Sequence, residues 1–139
     1  MKPTSDKLFF DTNILLYLTS DDESKICIAG DLIERGGTIS VQVLNEFVAV
    51  ARRKLMLSWP AITAHLAPIR RACRVVPLTV YCHDHALYLA ERYKLPIYDA
   101  LILASAIKAG CNQVVTEDFQ DGQVFEQRIR ICNPFAAGA

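Results

Sequence analysis

Four acidic residues stand where the surrounding pattern gives no reason for an acid. Asp11 closes a short apolar run, Glu46 lies inside a helix-forming stretch, Asp99 precedes the most apolar helix-forming stretch, and Asp118 follows a β-prone run. In a parallel α/β sheet the turns from strand to helix share one edge, and Asp11, Asp99 and Asp118 are expected at such turns. Carboxylates gathered there repel one another unless a hard divalent cation, which prefers oxygen ligands, sits among them. The expected chemistry is metal-assisted, in one compact acidic pocket.

Each acid also has an ordinary reading. Asp11 and Asp99 suit helix capping or first-turn dipole stabilisation. Asp118, with Asp121 and Gly122 close behind, suits a turn. Glu46 has Gln42, Val43, Ala49 and Val50 as its helical neighbours, so it lacks an ion partner on its own helix. On a helical wheel Leu44, Phe47, Val48, Ala51 and Leu55 form an apolar arc, and Glu46 lies just outside its border, a position that suits the lip of a cleft. Asn13 beside Asp11 and Thr116 ahead of Asp118 add polar groups at two strand ends.

The elements that must position these residues read as alternating strands and helices. Leu8–Phe10 is a strand feeding a helical turn over Ile14–Leu18, and Ile26–Ile33 is a helix stopped by Gly36-Gly37. Thr38–Ser40 is a brief β-prone segment whose Ser40 caps a helix over Val41–Lys54, followed by a break at Pro60. Ala61–Ala72 is helical with a kink at Pro68, and Val75-Val76 is a strand closed by Pro77. Thr79 caps a helix over His83–Tyr93, and Tyr98–Ala109 is a central apolar helix ending at Gly110. Gln113–Thr116 and Ile129–Cys132 are strands separated by a polar loop. This order predicts an α/β fold, a three-layer α/β/α sandwich around a mostly parallel sheet.

With 139 residues, 52% of them hydrophobic and 22% charged, the chain reads as one globular domain, 1–139. Fifteen basic residues balance fifteen acidic ones, so net charge alone selects neither a nucleic-acid nor a membrane partner. Setting the four singled-out acids aside leaves eleven acidic against fifteen basic residues, a surplus that a polyanion can use. Cysteines 27, 73, 82, 111 and 132 are scattered, form no CxxC pair and follow no signal peptide; they read as reduced, buried thiols of a cytoplasmic protein. No apolar stretch is long enough to span a bilayer.

Four segments together resemble the motifs of PIN-domain ribonucleases, in that family's order. They are Phe10-Asp11-Thr12-Asn13-Ile14-Leu15, Gln42-Val43-Leu44-Asn45-Glu46-Phe47, Tyr98-Asp99-Ala100-Leu101-Ile102 and Val115-Thr116-Glu117-Asp118-Phe119. The likeness extends from about Leu8 to Phe135 and is nearest to the small bacterial toxins called VapC. It implies a divalent-metal-dependent ribonuclease, the toxin of a toxin–antitoxin pair, commonly a homodimer, with RNA as substrate and an antitoxin protein as partner. By this resemblance Asp11, Glu46, Asp99 and Asp118 match the acidic quartet, with Asn13 and Thr116 as polar helpers. Asp121 is either an extra ligand or a turn residue.

Phosphodiester hydrolysis needs negative charge offset, water activated and the leaving oxygen stabilised. Mg²⁺ or Mn²⁺ suits these oxygen donors, whereas Zn²⁺ favours His or Cys, absent from the four motifs. Asp11 and Asp99 are assigned as principal ligands, and Glu46 and Asp118 as ligands through water or to a second ion. His83 and His85 do not share a helix face and read as surface residues. Arg52, Arg53 and Lys54, like Arg70, Arg71 and Arg74, suit helix C-termini or RNA backbone contact. No aromatic platform for bases is evident. A haloacid-dehalogenase-type phosphotransferase would need an acid where Asn13 stands. A catalytically silent RNA- or partner-binding module of the same fold is the remaining alternative.

Overall fold

The computed structural model describes residues 6–136. Its elements run β1 (Leu8–Phe10), α1 (Thr12–Leu16), a 3-10 turn (Tyr17–Thr19), α2 (Glu23–Arg35), β2 (Gly37–Ser40), α3 (Val41–Arg53), α4 (Trp59–Ala72) and β3 (Cys73–Val76). They continue with α5 (Val80–Tyr93), α6 (Ile97–Lys108), β4 (Gln113–Val115), β5 (Val124–Phe125) and β6 (Ile129–Cys132). The strands form one sheet in the order β3-β2-β1-β4-β6-β5, parallel except for the β5–β6 pair. The expected α/β/α sandwich with a mostly parallel sheet is the fold observed.

The chain winds from β1 outward through β2 to β3, then returns across the sheet to β4. Parallel crossovers are right-handed, so the outward connections lay α1 to α4 on one face and the return lays α5 and α6 on the other. The contacts agree: α1 meets α3, α2 and α3 meet α4, and α5 packs along α6. The strand order reverses between β1 and β4, where a ligand crevice is expected beyond the carboxyl ends of the strands.

Local chemistry fixes these elements. Asp22, Ser40, Ser58 and Thr79 cap α2, α3, α4 and α5 by accepting from backbone N–H groups of the first turns. Pro60 lies in the first turn of α4 rather than in a break before it, a place where its missing N–H costs nothing. From Ala100 to Ala106 every residue of α6 is buried, which is why its sequence shows no polar face. α3 buries Phe47 and Ala51 of the expected arc, packs Leu44 and Val48 against the core, adds Val43, and leaves Leu55 beyond the helix and 40% exposed. The β5–β6 hairpin, too short to read from sequence, turns at Glu126 and Gln127, both at φ 55°. Glu126 is held there by hydrogen bonds with the Tyr93 hydroxyl and an ion pair with Arg92. Of the cysteines, Cys73, Cys82 and Cys111 are buried, Cys132 is half-buried and Cys27, contrary to expectation, is exposed; all are free thiols. Among the described residues no helix is long and apolar enough to cross a membrane.

Gly37 marks the closest approach in the sheet. A Cβ there would lie 2.5 Å from Cε2 of Phe10 and 2.9 Å from the carbonyl oxygen of Leu8. The carbonyl belongs to β1 and cannot swing aside as a side-chain tip can. Gly37→Ala is expected to lower unfolding stability by roughly 1–3 kcal/mol through overpacking. A reduced urea midpoint at unchanged slope would check this, and an unchanged midpoint would contradict it.

Candidate active site

Asp11 follows β1 directly, its N–H donating to the carbonyl of Val115 on β4 at 3.0 Å, so its backbone continues the ladder at the point where the strand order reverses. It caps α1, accepting from the N–H of Thr12 at 2.7 Å on Oδ1. Its other oxygen, Oδ2, accepts from the Thr116 hydroxyl at 2.8 Å. The ordinary reading of Asp11 as a cap is therefore observed, and the cap fixes the direction of its carboxylate at the strand end.

Thr116 ties the ends of β1 and β4 together. While its hydroxyl proton goes to Asp11, its oxygen accepts from the backbone N–H of Asp118 at 3.1 Å and from Nδ2 of Asn13 at 3.2 Å. The same Asn13 amide donates to Oδ2 of Asp118 at 3.0 Å. Glu46, from α3, accepts from the Thr12 hydroxyl at 2.6 Å and from Nε2 of Gln42 at 3.2 Å. Gln42 also donates to the carbonyl oxygen of Tyr98 at 3.3 Å, linking α3 to the first turn of α6 that carries Asp99. Asp99 thus lies in the first turn of α6, which follows another helix, and Asp118 lies in the loop from β4 to β5, so neither is at the strand-to-helix turn expected for it. The return crossover contains two helices, and the second begins at the carboxyl edge of the sheet.

Asp11, Glu46, Asp99 and Asp118 all line one cleft of about 590 Å³, together with Asn13, Arg53 and Tyr98. Thr116 is fully buried beneath it. Asp121 is not among the lining residues; its carboxylate accepts from the N–H of Asn133 at 2.8 Å and anchors the loop that carries Asp118. His83 is exposed and His85 is half-buried between Tyr81 and Tyr88, both outside the cleft lining. Arg70 and Arg71 end α4 and Arg74 lies in β3, at the opposite end of the parallel strands. Three contributors escaped the sequence reading: Thr12, Gln42 and Tyr98. The first two are neutral residues whose partners come from other elements, and Tyr98 is an aromatic that the sequence alone does not distinguish from a packing residue.

Burial raises the Asp11 carboxyl from 3.8 to about 7, with the Thr116 and Thr12 hydrogen bonds acting in the other direction and the charges of Asp118 and Glu46 adding to the rise. Asp99 is raised too, first by burial, then by Asp118 and Glu46. The donor set fits an oxygen-preferring cation: four carboxylates border the cleft, and Oδ1 of Asn13 is buried with no hydrogen-bond partner. Among the described residues, however, no three His, Cys, Asp or Glu side chains form a ready-made metal cluster. The expected single cup is an acidic cleft in which hydrogen bonds hold Asp11, Glu46 and Asp118 to separate donors. Such a cleft suits an ion that keeps several waters and takes only one or two carboxylates directly.

Comparison with known proteins follows the same lines. A family model described as PIN domain matches residues 8–121. A search of curated proteins returns no match to the sequence. Among solved structures, a toxin–antitoxin complex from Klebsiella pneumoniae is similar at 23% identity, covering 93% of this chain and 98% of that one, with a TM-score of 0.68. The sarcin-ricin-loop-cleaving toxin VapC20 of Mycobacterium tuberculosis is similar at 22% identity, covering 78% and 87%, with a TM-score of 0.62. DNA-bound VapBC from Salmonella typhimurium gives 21% identity, 91% and 97% coverage and a TM-score of 0.66.

The raised Asp11 carboxyl makes stability pH-dependent. A group whose native pKa lies above its unfolded value contributes stability that is complete below the unfolded pKa and is lost as pH rises through the native one. A rise from 3.8 to about 7 corresponds to about 4 kcal/mol. With divalent ions chelated, the unfolding free energy is expected to fall between about pH 4 and pH 7, with Asp99 acting in the same direction. Asp11→Asn should flatten most of that slope, and equal slopes for wild type and variant in denaturant titrations would contradict the assignment.

Proposed function

The chain belongs to the PIN domain family, and from that premise we propose that it is a ribonuclease, dependent on Mg²⁺ or Mn²⁺, that hydrolyses RNA phosphodiester bonds. The observation that carries this reading is the convergence of Asp11, Glu46, Asp99 and Asp118, from four separate segments, on one cleft at the carboxyl edge of the sheet. We read residues 1–139 as one such domain.

A divalent ion bound in this cleft would supply charge neutralisation of the phosphate and activation of water. Asp11 and Asp99 would hold it directly, with Glu46 and Asp118 acting through water or on a second ion. Thr116 fixes the direction of the Asp11 carboxylate, and Asn13 does the same for Asp118 while its own buried Oδ1 has no hydrogen-bond partner. Thr12 and Gln42 hold Glu46 on the α3 side. Because these orienting bonds already exist, little reorganisation is needed when substrate enters.

The biological role we propose is the toxin half of a toxin–antitoxin pair, acting on RNA in the cytoplasm and working as a homodimer. Support comes from the names of the similar structures, a toxin–antitoxin complex and a VapBC complex among them. A groove beside the cleft, lined by Leu16, Tyr17, Val50, Lys54 and Leu55, offers the apolar surface that a segment of an antitoxin protein would cover.

Purified protein incubated with structured and unstructured RNAs should cleave in Mg²⁺ or Mn²⁺ and not in chelator. Asp11→Asn and Asp99→Asn, each folded by circular dichroism, should lower the cleavage rate by on the order of a hundredfold or more. Metal-independent cleavage that survives both substitutions would reject the mechanism.

A further inference from the structure

An acidic cleft repels the substrate it is meant to receive, so some group must draw the RNA backbone in. Among the described residues Arg53 is the one basic residue lining the cleft. The only ion pair among the described residues is Arg92–Glu126, so Arg53, although it borders four carboxylates, is paired with none of them. Its neighbour Arg52 is engaged differently. The Arg52 guanidinium donates to the carbonyl of Leu57 at 2.9 Å and lies 4.5 Å from the centre of the Trp59 ring. Two adjacent arginines at one helix end thus divide into one that secures the following loop and one left for the cleft.

Tyr98 stands out in the same way. Four aromatic residues are strongly exposed: Trp59, Tyr81, Tyr88 and Tyr98. Trp59 is covered by Arg52, Tyr81 by Lys108 and His85, and Tyr88 by His85. Tyr98 is 64% exposed, and among the described residues its ring has no aromatic, cationic or hydrogen-bonded neighbour. Leaving such a ring in water forgoes the stabilisation that aromatic burial normally gives.

The two residues lie at different points along one channel. Glu46, Ala49, Val50 and Arg53 line the cleft at the i, i+3, i+4, i+7 spacing of a single helix face. Seven residues of helix set Arg53 about 10 Å from the level of Glu46. Tyr98 belongs to the Glu46 level, because Gln42 bridges Glu46 and the Tyr98 carbonyl. We infer that Tyr98 and Arg53 form a substrate-binding subsite, Tyr98 stacking on an unpaired base and Arg53 taking a backbone phosphate, so that the cleft accepts single-stranded or loop RNA with a base turned out. The inference rests on the ribonuclease reading for the identity of the strand. Stacking tolerates any base and needs one freed from its helix, which duplex RNA does not present.

The test uses the full chain with a single-stranded RNA oligonucleotide carrying 2-aminopurine at successive positions. Binding is measured in chelator and, by rapid mixing before cleavage, in Mn²⁺. Fluorescence quenching is expected at one or two positions, and none with the matching duplex. Tyr98→Ala should abolish that quenching and weaken binding by on the order of tenfold to a hundredfold, while Tyr98→Phe retains both. Arg53→Gln should keep the quenching, weaken binding for all sequences and reduce the salt dependence by about one phosphate contact. The exposed ring should leave the melting temperature of Tyr98→Ala unchanged. Quenching and affinity unchanged in Tyr98→Ala, or no binding in either condition, would overturn the subsite. Tyr98-dependent binding without cleavage in Mn²⁺ would support the subsite and remove the ribonuclease reading instead. Cleavage with a KM indifferent to Tyr98→Ala would do the reverse.

Discussion

A buried carboxylate must find donors, and Asp11 finds them in its own helix and in a strand more than a hundred residues away. The Thr116 hydroxyl that satisfies Asp11 is also the acceptor for Asn13 and for the backbone of Asp118, so its single donor and both its lone pairs are committed. That one side chain sets the direction of the Asp11 carboxylate and holds both the start of the Asp118 loop and the Asn13 amide that in turn donates to the Asp118 carboxylate. Burial above all, with the charges of Asp118 and Glu46 adding to it, raises the Asp11 and Asp99 carboxyls, and the ends of β1 and β4 are joined at this point. The sheet supplies rigidity, and Thr116 converts it into orientation.

The winding of the chain explains why the other two acids arrive where they do. Glu46 sits in the second turn of a helix whose cap, Ser40, closes β2, so that α3 also starts from the carboxyl edge. Asp99 sits at the start of α6 on the opposite face. Two faces and two strand ends therefore each contribute one carboxylate, and none of the four is close to another in sequence. A cleft assembled in this way has walls of different construction: a partly exposed helix face on one side, and on the other a helix buried almost from its start.

Much of this was legible in the sequence, for physical reasons that differ between residues. Caps such as Ser40 and Thr79 act on N–H groups within three residues, so local reading places them correctly. The apolar run of α6 could only be a buried element, and it is. Asp11, Asn13, Thr116 and Asp118 were identified as strand-end residues because strand ends are recognisable from the apolar runs before them. What local reading missed depends on distant chain. On α3 the expected arc holds for Leu44, Phe47, Val48 and Ala51, but Val43 is buried as well and Leu55 is not, because the helix ends at Arg53. The turn beside the two-residue strand β5 is held by Tyr93 and Arg92, from a distant helix. Tyr98 was unremarkable until its neighbours were known, since an aromatic beside an apolar helix ordinarily packs into it.

The anchoring of the Asp118 loop also bears on when the molecule becomes complete during synthesis. The backbone N–H of Thr116 donates to Cys132, and Asp121 is tied to Asn133. A nascent chain that has already made three of the four acidic segments lacks the strand on which the fourth is seated. Until translation has passed Asn133, the loop that carries Asp118 lacks the two anchors that seat it in the folded chain.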